Sequence, residues 1–376
     1  MLSEKRLANL PWGLVLLVVT IAVIGLTAVY SATYTSRGPS SLFTKQLLWV
    51  SIGFVIMVLA IIPDYHTVGR YAYVLYAISL VLLLLVMIMG KTGMGAQRWL
   101  AIGPFAFQPS ELAKLSVTVA LARYFAEDPK RGGYELRDLA IPGAMVLVPL
   151  LLVLKQPDLG TAIMLLMTSS LIVMLAGIHL RSVLIVLVAG LVVAALVFAL
   201  SPVRHKIWGS LKPYQQNRIK AFIDPSSDPL GSGYHANQSK IAVGSGQIMG
   251  KGYRKGTQSQ MAFLPERHTD FIFAVIAEET GLVGASLLLF LYLVLLLAGV
   301  DTAKNAKDRL GALMAGGIVS MISLYVLINV GMAVGIVPVV GVPLPLVSYG
   351  GTSIIATFLA LGILLNIQTR RFMLFY

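Results

Sequence analysis

Glu266-Arg267-His268-Thr269-Asp270-Phe271-Ile272-Phe273-Ala274-Val275-Ile276-Ala277-Glu278-Glu279 carries a charged run directly into an apolar segment of membrane length. An ionisable side chain held at a bilayer boundary is costly, which makes Asp270 a candidate functional residue. Asp also accepts a backbone N–H well at a helix start, so a simple N-cap is the competing reading, and spacing alone leaves both open. Glu278 and Glu279, about two turns further in, must face protein or water rather than lipid.

The same apolar character extends over the whole chain. Of its 376 residues 57% are hydrophobic and only 12% charged, and the mean hydropathy of +0.84 lies outside the range of ordinary soluble domains. A hydrocarbon core of about 30 Å needs roughly 20 apolar residues per helix. Ten candidate spans are centred near residues 23, 52, 81, 117, 147, 168, 191, 285, 323 and 357. The predicted fold is an all-α integral membrane protein, a single polytopic domain over residues 1–376. The first apolar run is too long for the core of a cleavable signal and is read as a retained helix.

Lys and Arg in short loops set orientation. With an inside N-terminus, the cytoplasmic connections hold Arg70, Lys130, Arg131, Arg137, Arg181, Lys304, Lys307 and Arg309, and the terminal segments hold Lys5, Arg6, Arg370 and Arg371. The opposite short loops hold only Arg37, Lys45, Lys91, Arg98 and Lys155. Both termini are therefore predicted on the cytoplasmic side of the membrane. The chain has no cysteine, which removes disulfides, thiolate metal sites and catalytic thiols.

One connection, residues 202–269, is far longer than the others and lies on the outer side in this topology. It is rich in Lys and Arg, including Arg204, Lys206, Arg218, Lys251 and Arg267, with Trp208, Tyr214 and Tyr253 between them. The net charge of +13, which would suggest nucleic acid in a soluble protein, divides here between the cytoplasmic loops, where topology explains it, and this one segment, where it does not. The loop reads either as a surface lying on anionic headgroups or as a site for a phosphorylated substrate.

Two further stretches stand out. After the external connection Lys91 to Phe107, Pro109 fits the first turn of a helix, Glu111 complements that turn's positive pole, and Lys114 is placed to pair with Glu111 at i, i+3. Val337 to Gly351 is apolar yet broken by Pro338, Pro343, Pro345 and glycines, and irregular backbone at membrane depth survives only when buried in protein or lining a wet cavity. No internal repeat of the kind common in secondary transporters is visible, which weakens a transporter reading.

Several chemistries are disfavoured. Gly244 to Gly252 lacks the spacing of a phosphate loop, and Gly252 stands where Ser or Thr would hold magnesium. No Asp-x-Asp pair occurs, the five histidines lack metal-ligand spacing, and no Gly-x-Ser-x-Gly nucleophile motif is present.

Gln97-Arg98-Trp99, Phe107-Gln108-Pro109-Ser110-Glu111-Leu112-Ala113-Lys114-Leu115, Gln156-Pro157-Asp158-Leu159-Gly160-Thr161-Ala162, Phe263 to Ala274 and Pro343-Leu344-Pro345-Leu346-Val347-Ser348-Tyr349-Gly350-Gly351 resemble the signature blocks of the SEDS family (shape, elongation, division and sporulation) over nearly the whole chain. Arg267 before His268, Gly250-Lys251-Gly252-Tyr253, Gly256-Thr257-Gln258-Ser259 and Val339 to Pro343 are closer to its elongation branch than to its division or sporulation branches, whereas Ala101 to Phe105 reads more like the division form. The resemblance implies a ten-helix peptidoglycan glycosyltransferase of the bacterial cytoplasmic membrane. Its substrate would be lipid II, polymerised on the extracytoplasmic side, with a class B penicillin-binding protein and other elongation-complex proteins as partners. It also implies that the acid at position 270 is essential.

Polymerisation of that kind needs a base for the acceptor hydroxyl and positive charge for the departing diphosphate. Asp270 is the candidate general base of an inverting, single-displacement reaction. Arg98, Arg218 and Arg267 are candidates for the diphosphate, with Lys251 and Lys114 behind them. Glu111, Lys114, Asp158, Ser348 and Tyr349 are assigned supporting roles, Asp158 as a helix cap. No cofactor is evident, and a divalent cation, Mg or Mn, bridging the diphosphate is compatible with the chemistry. A lipid II flippase and a non-catalytic scaffold are the rival functions.

Overall fold

The computed structural model describes residues 10–34, 38–93, 96–102, 105–130, 132–199, 209, 216, 220, 231–261 and 263–371. Its helices run α1 (Trp12–Thr33), α2 (Ser41–Ile61), α3 (Tyr65–Arg70), α4 (Ala72–Met89), α5 (Pro109–Glu127), α6 (Ala140–Lys155), α7 (Leu159–Ala176), α8 (Leu180–Ala199), α9 (Ser232–Ser245), α10 (Thr257–Gln260), α11 (Ile272–Lys304), α12 (Arg309–Val334) and α13 (Gly351–Arg370). Between α4 and α5 the chain adds a small antiparallel sheet, β1 (Lys91–Gly93), β2 (Ala96–Ile102) and β3 (Phe105–Phe107), with Ala101 opposite Ala106. The hydropathy pattern gave no sign of this sheet, because β1 and β3 are only three residues each and Ala96–Ile102 does not alternate between apolar and polar residues.

Among the described residues, eight helices are long and apolar enough to cross a membrane. The predicted count of ten is not established by that criterion. The two remaining predicted spans correspond to α5, diluted by Glu111, Lys114, Arg123 and Glu127, and to α8.

α12 and α13 form the centre, buried along most of their length, while α2, α4 and α6 present Leu, Val and Ile outward as lipid-facing helices do. Packing between α2 and α13 depends on small residues, as expected where apolar burial cannot drive association in lipid. A Cβ at Gly362 would lie 2.7 Å from the Ala60 side chain and from the Met57 carbonyl oxygen.

α11 corrects the depth assigned to the opening stretch. Its 33 residues would extend about 50 Å as one rod, well beyond a bilayer core of about 30 Å. The helix is broken at Gly281, where φ is 68° and ψ is −166°. Residues 271–279 before the break are all buried in protein, and lipid-facing side chains begin at Leu282 and Val283. Glu278 and Glu279 thus stand at the break between a short internal half-helix and the true span.

The loop after α9 fills that break. Lys251 N–H and Gly252 N–H donate to the carbonyls of Glu278 and Glu279, each at 3.0 Å, while Leu282 and Val283 N–H donate to Gln247 and Ile248 carbonyls at 2.8 and 3.1 Å. Backbone groups freed by the break are therefore satisfied within the protein. Gly281→Ala is expected to fail here, since the left-handed φ is strained for alanine and its Cβ would lie 2.3 Å from Gly250 N. A loss of about 1–3 kcal/mol, read as a lower unfolding midpoint in detergent, is the expected outcome.

Candidate active site

Four helices begin around one cavity of about 350 Å³. α5 contributes Gln108 and Glu111, α7 contributes Asp158 and Thr161, α13 contributes Gly350, Thr352 and Ser353, and Asp270 stands just before α11. Arg98 and Trp99 of β2, Glu266, Thr269 and the irregular segment at Val340, Gly341, Pro343 and Tyr349 complete the wall. Helix N-termini are the positive ends of their dipoles, so all four direct partial positive charge towards the cavity.

Asp270 is held by its neighbours' backbone rather than by a rigid element of its own. Three successive carbonyls are tied to the C-terminal segment and α12. Tyr349 N–H donates to His268 O at 2.8 Å, Ser348 Oγ donates to Thr269 O at 2.6 Å, and Asn329 Nδ2 donates to Asp270 O at 2.9 Å. Asn329 also donates to Val342 O at 2.7 Å, and Leu344 N–H donates to Ser348 Oγ at 2.7 Å. Buried Gln46 braces the same segment, donating to Ser348 O at 3.1 Å. Glu266 and Leu346 take left-handed φ values of 48° and 65°, a strain of the kind that surrounding structure holds at functional sites.

Asp158 serves as the N-cap of α7, accepting from Thr161 N–H at 3.2 Å and from Thr161 Oγ1 at 2.9 Å. Its carboxylate also receives Gln108 Nε2 at 3.2 Å and lies 3.7 Å from Arg98 Nε. Arg98 donates to Pro157 O at 2.5 Å, so this guanidinium is anchored at one edge while lining the cavity.

Behind Glu111 lies a buried triad. Lys114 Nζ donates to Glu111 Oε1 at 2.7 Å and to the Tyr325 hydroxyl, and that hydroxyl donates to Glu111 Oε2 at 2.8 Å. Lys114 is only 2% exposed, so its charge is tolerable because Glu111 matches it.

The other basic candidates are placed elsewhere. Arg267 donates to Ser259 O, and burial pushes its pKa down, as it does that of the neighbouring His268. Lys251 is paired at 2.8 Å with fully buried Glu278, which also accepts Gln258 and Ser259 N–H at 2.9 and 3.1 Å. Neither Arg267 nor Lys251 lines the cavity. Arg218 lies outside the described residues. Among the described residues no group of three or more His, Asp or Glu is placed to hold a metal ion.

Sequence reasoning passed over Tyr325, Asn329, Gln46 and Thr352. Tyr325 and Asn329 carried a usable signal, since two polar residues four apart on an apolar span share one helix face. Ser348→Ala is expected to leave the Leu344 N–H and the Thr269 carbonyl without their shared partner, at about 1–3 kcal/mol. Thermal unfolding of the purified variant checks this, and an unchanged midpoint would show that the tie contributes nothing.

Fold and cavity together define a multi-pass membrane protein with an acid-rich cleft where several helices begin. Residues 8–372 match the profile of the FtsW/RodA/SpoVE family of cell cycle proteins, and the chain belongs to that family, the SEDS family. It is 43% identical over 363 residues to the peptidoglycan glycosyltransferase MrdB of Escherichia coli K12, covering 96% of this chain and 94% of that one. Among solved structures it resembles a peptidoglycan synthase complex component with a TM-score of 0.80, at 35% identity over 96% of this chain and 98% of that one. It also resembles the rod shape determining protein RodA of Thermus thermophilus, with a TM-score of 0.70 at 31% identity over 97% of this chain and 98% of that one.

Proposed function

We propose that this chain is the lipid II polymerase of cell elongation, a peptidoglycan glycosyltransferase in which Asp270 acts as general base. The observation that carries the reading is the placement of Asp270 on the cavity wall by three consecutive backbone ties. Such fixing suits a base that must meet a hydroxyl within hydrogen-bond reach.

In this reading Asp270 takes the proton of the acceptor sugar's 4-hydroxyl. The oxygen attacks the anomeric carbon of the donor from the face opposite the diphosphate, the carbon–oxygen bond to the diphosphate breaks, and the configuration inverts. Positive charge develops at the anomeric carbon as that bond opens, and Glu111, Asp158 and Glu266 around the same cavity suit it. The leaving diphosphate carries its own charge outward, with Arg98 the basic side chain that lines the cavity. Arg267, Lys251 and Arg218 remain candidates for its outer part. A divalent cation, Mg or Mn, is assigned no protein ligand set and is proposed only as a companion of the diphosphate.

The family and the resemblance to a synthase complex support a class B penicillin-binding protein as partner, within the elongation machinery. We place both termini in the cytoplasm and the cavity on the extracytoplasmic side of the bacterial inner membrane. The arrangement supports this, because the basic ends gather at the end away from the cavity. Arg370 pairs with Asp64 at 2.9 Å, and Arg309 donates to Ala176 O at 2.9 Å. A flippase would need the cavity to open alternately to both sides, and the Glu111–Lys114–Tyr325 triad closes its inner wall.

The test is synthesis of glycan strands from purified lipid II by the purified chain, alone and with its partner. Strand formation is the expected result. Lipid II transport without polymer would replace this function with the flippase, and neither activity would leave the scaffold.

A further inference from the structure

Far from Asp270, two cavities adjoin at the ends of α6, α7 and α8 that carry the positive loops. The first is an apolar slot of about 470 Å³ between these three helices, walled by Pro142, Gly143, Val146, Val173 and Val183. The second, about 770 Å³, opens at its mouth and is lined by Arg137, His179, Arg181 and Glu135. Their walls meet along the chain: Ile178 and Val183 of the slot directly precede His179 and follow Ser182 of the mouth.

The acids at this mouth are already used. Glu135 and Asp138 cap each other's backbone in the short 3-10 turn Leu136–Leu139, and Asp138 also receives Lys130. Arg137 and Arg181 form no ion pair among the described residues and are exposed. A basic mouth over an apolar slot is complementary to an anionic head on a hydrocarbon chain.

The slot's depth selects the chain. It runs along α6 from Leu139 to Leu150, eleven residues or about 16 Å at ~1.5 Å per residue. That is about half of a ~30 Å hydrocarbon core, the depth of one leaflet. It fits an acyl chain and is short for a polyprenyl carrier.

We propose that this is a binding site for one anionic phospholipid, with its phosphate at Arg137, His179 and Arg181 and one acyl chain in the slot. Calling the leaflet the inner one rests on the orientation proposed above; the site's chemistry does not.

The test is native mass spectrometry of the delipidated full chain, titrated with phosphatidylglycerol, phosphatidylethanolamine of matched chains, or undecaprenyl phosphate. Phosphatidylglycerol is expected to bind preferentially. Arg137→Ala/Arg181→Ala is expected to lower its occupancy by about tenfold or more. Gly143→Phe is expected to do the same with both arginines intact, because a Cβ at Gly143 meets nothing within 4 Å and the ring would enter the slot. Size-exclusion profiles matching wild type show that the variants are folded. Equal binding of both phospholipids, or binding indifferent to both variants, would overturn the proposal, as would tighter, Gly143→Phe-sensitive binding of undecaprenyl phosphate. Orientation is read separately. The chain has no native cysteine, so Arg137→Cys should react with an impermeant maleimide in inverted vesicles and not in spheroplasts. Reaction in spheroplasts would move the lipid to the outer leaflet and overturn the orientation, leaving the binding result standing.

Discussion

Asp270→Asn is expected to stop glycan polymerisation while the protein still folds and still binds lipid II. The amide keeps the size and shape of the carboxylate, and the ties at positions 268, 269 and 270 are all made by the backbone, so the variant leaves them in place. What is lost is the ability to take a proton. Removing a positioned general base costs about 10²–10⁴-fold in rate, so polymer should fall by at least about a hundredfold in a gel assay with purified lipid II. A thermal unfolding midpoint within a few degrees of wild type and retained lipid II binding would accompany it. If the Asp270→Asn variant instead gave near-normal strands, Asp270 would be a cap or a contact, and the base would have to be sought among the other cavity carboxylates, Glu111 foremost.

The site was legible in the sequence as separate blocks rather than as an arrangement. Arg98, Glu111, Asp158, Asp270 and Tyr349 come from stretches up to about 250 residues apart, yet all line one cavity. Each marked itself by a local anomaly, either a charge beside an apolar run or a helix breaker at membrane depth. Local anomalies do not reveal partners, which is why the backbone ties from Asn329 and Ser348 and the convergence of helix starts appeared only in three dimensions.

The break at Gly281 was hidden for a different reason. Apolar character runs unbroken from Phe271 to Val300 apart from Glu278, Glu279, Thr280 and Ser286, and hydropathy cannot distinguish residues facing lipid from residues buried in protein. The two glutamates were the clue, since acids side by side in a span require protein or water around them. Glu278 is satisfied by the segment that enters the break, through Lys251, Gln258 and Ser259, and Glu279 accepts from Ser31 Oγ of α1 at 2.5 Å. Lys251 and Arg267, candidates for the diphosphate from the chemistry that the resemblance implies, also make contacts within the protein here, Lys251 with Glu278 and Arg267 with the Ser259 carbonyl.

The Glu111–Lys114–Tyr325 triad leads to the second large effect. Lys114→Met should leave the Glu111 carboxylate, itself 6% exposed, without its matching charge. Breaking a buried pair on one side costs about 3–5 kcal/mol, whereas replacing both partners by groups of similar size is often far milder. Lys114→Met and Glu111→Gln are therefore each expected to lower stability in reversible unfolding from mixed micelles, with the double variant losing clearly less than the sum. Tyr325→Phe sharpens the reading. The hydroxyl donates to Glu111 and accepts from Lys114, so its removal should weaken the wild-type pair by about 1–3 kcal/mol and matter little in the double variant. Additive losses would mean that Lys114 and Glu111 do not act as a pair. Lys114, one turn behind the cavity wall, would then become a candidate for direct contact with the diphosphate, and Glu111 would stand alone as a second carboxylate facing the substrate.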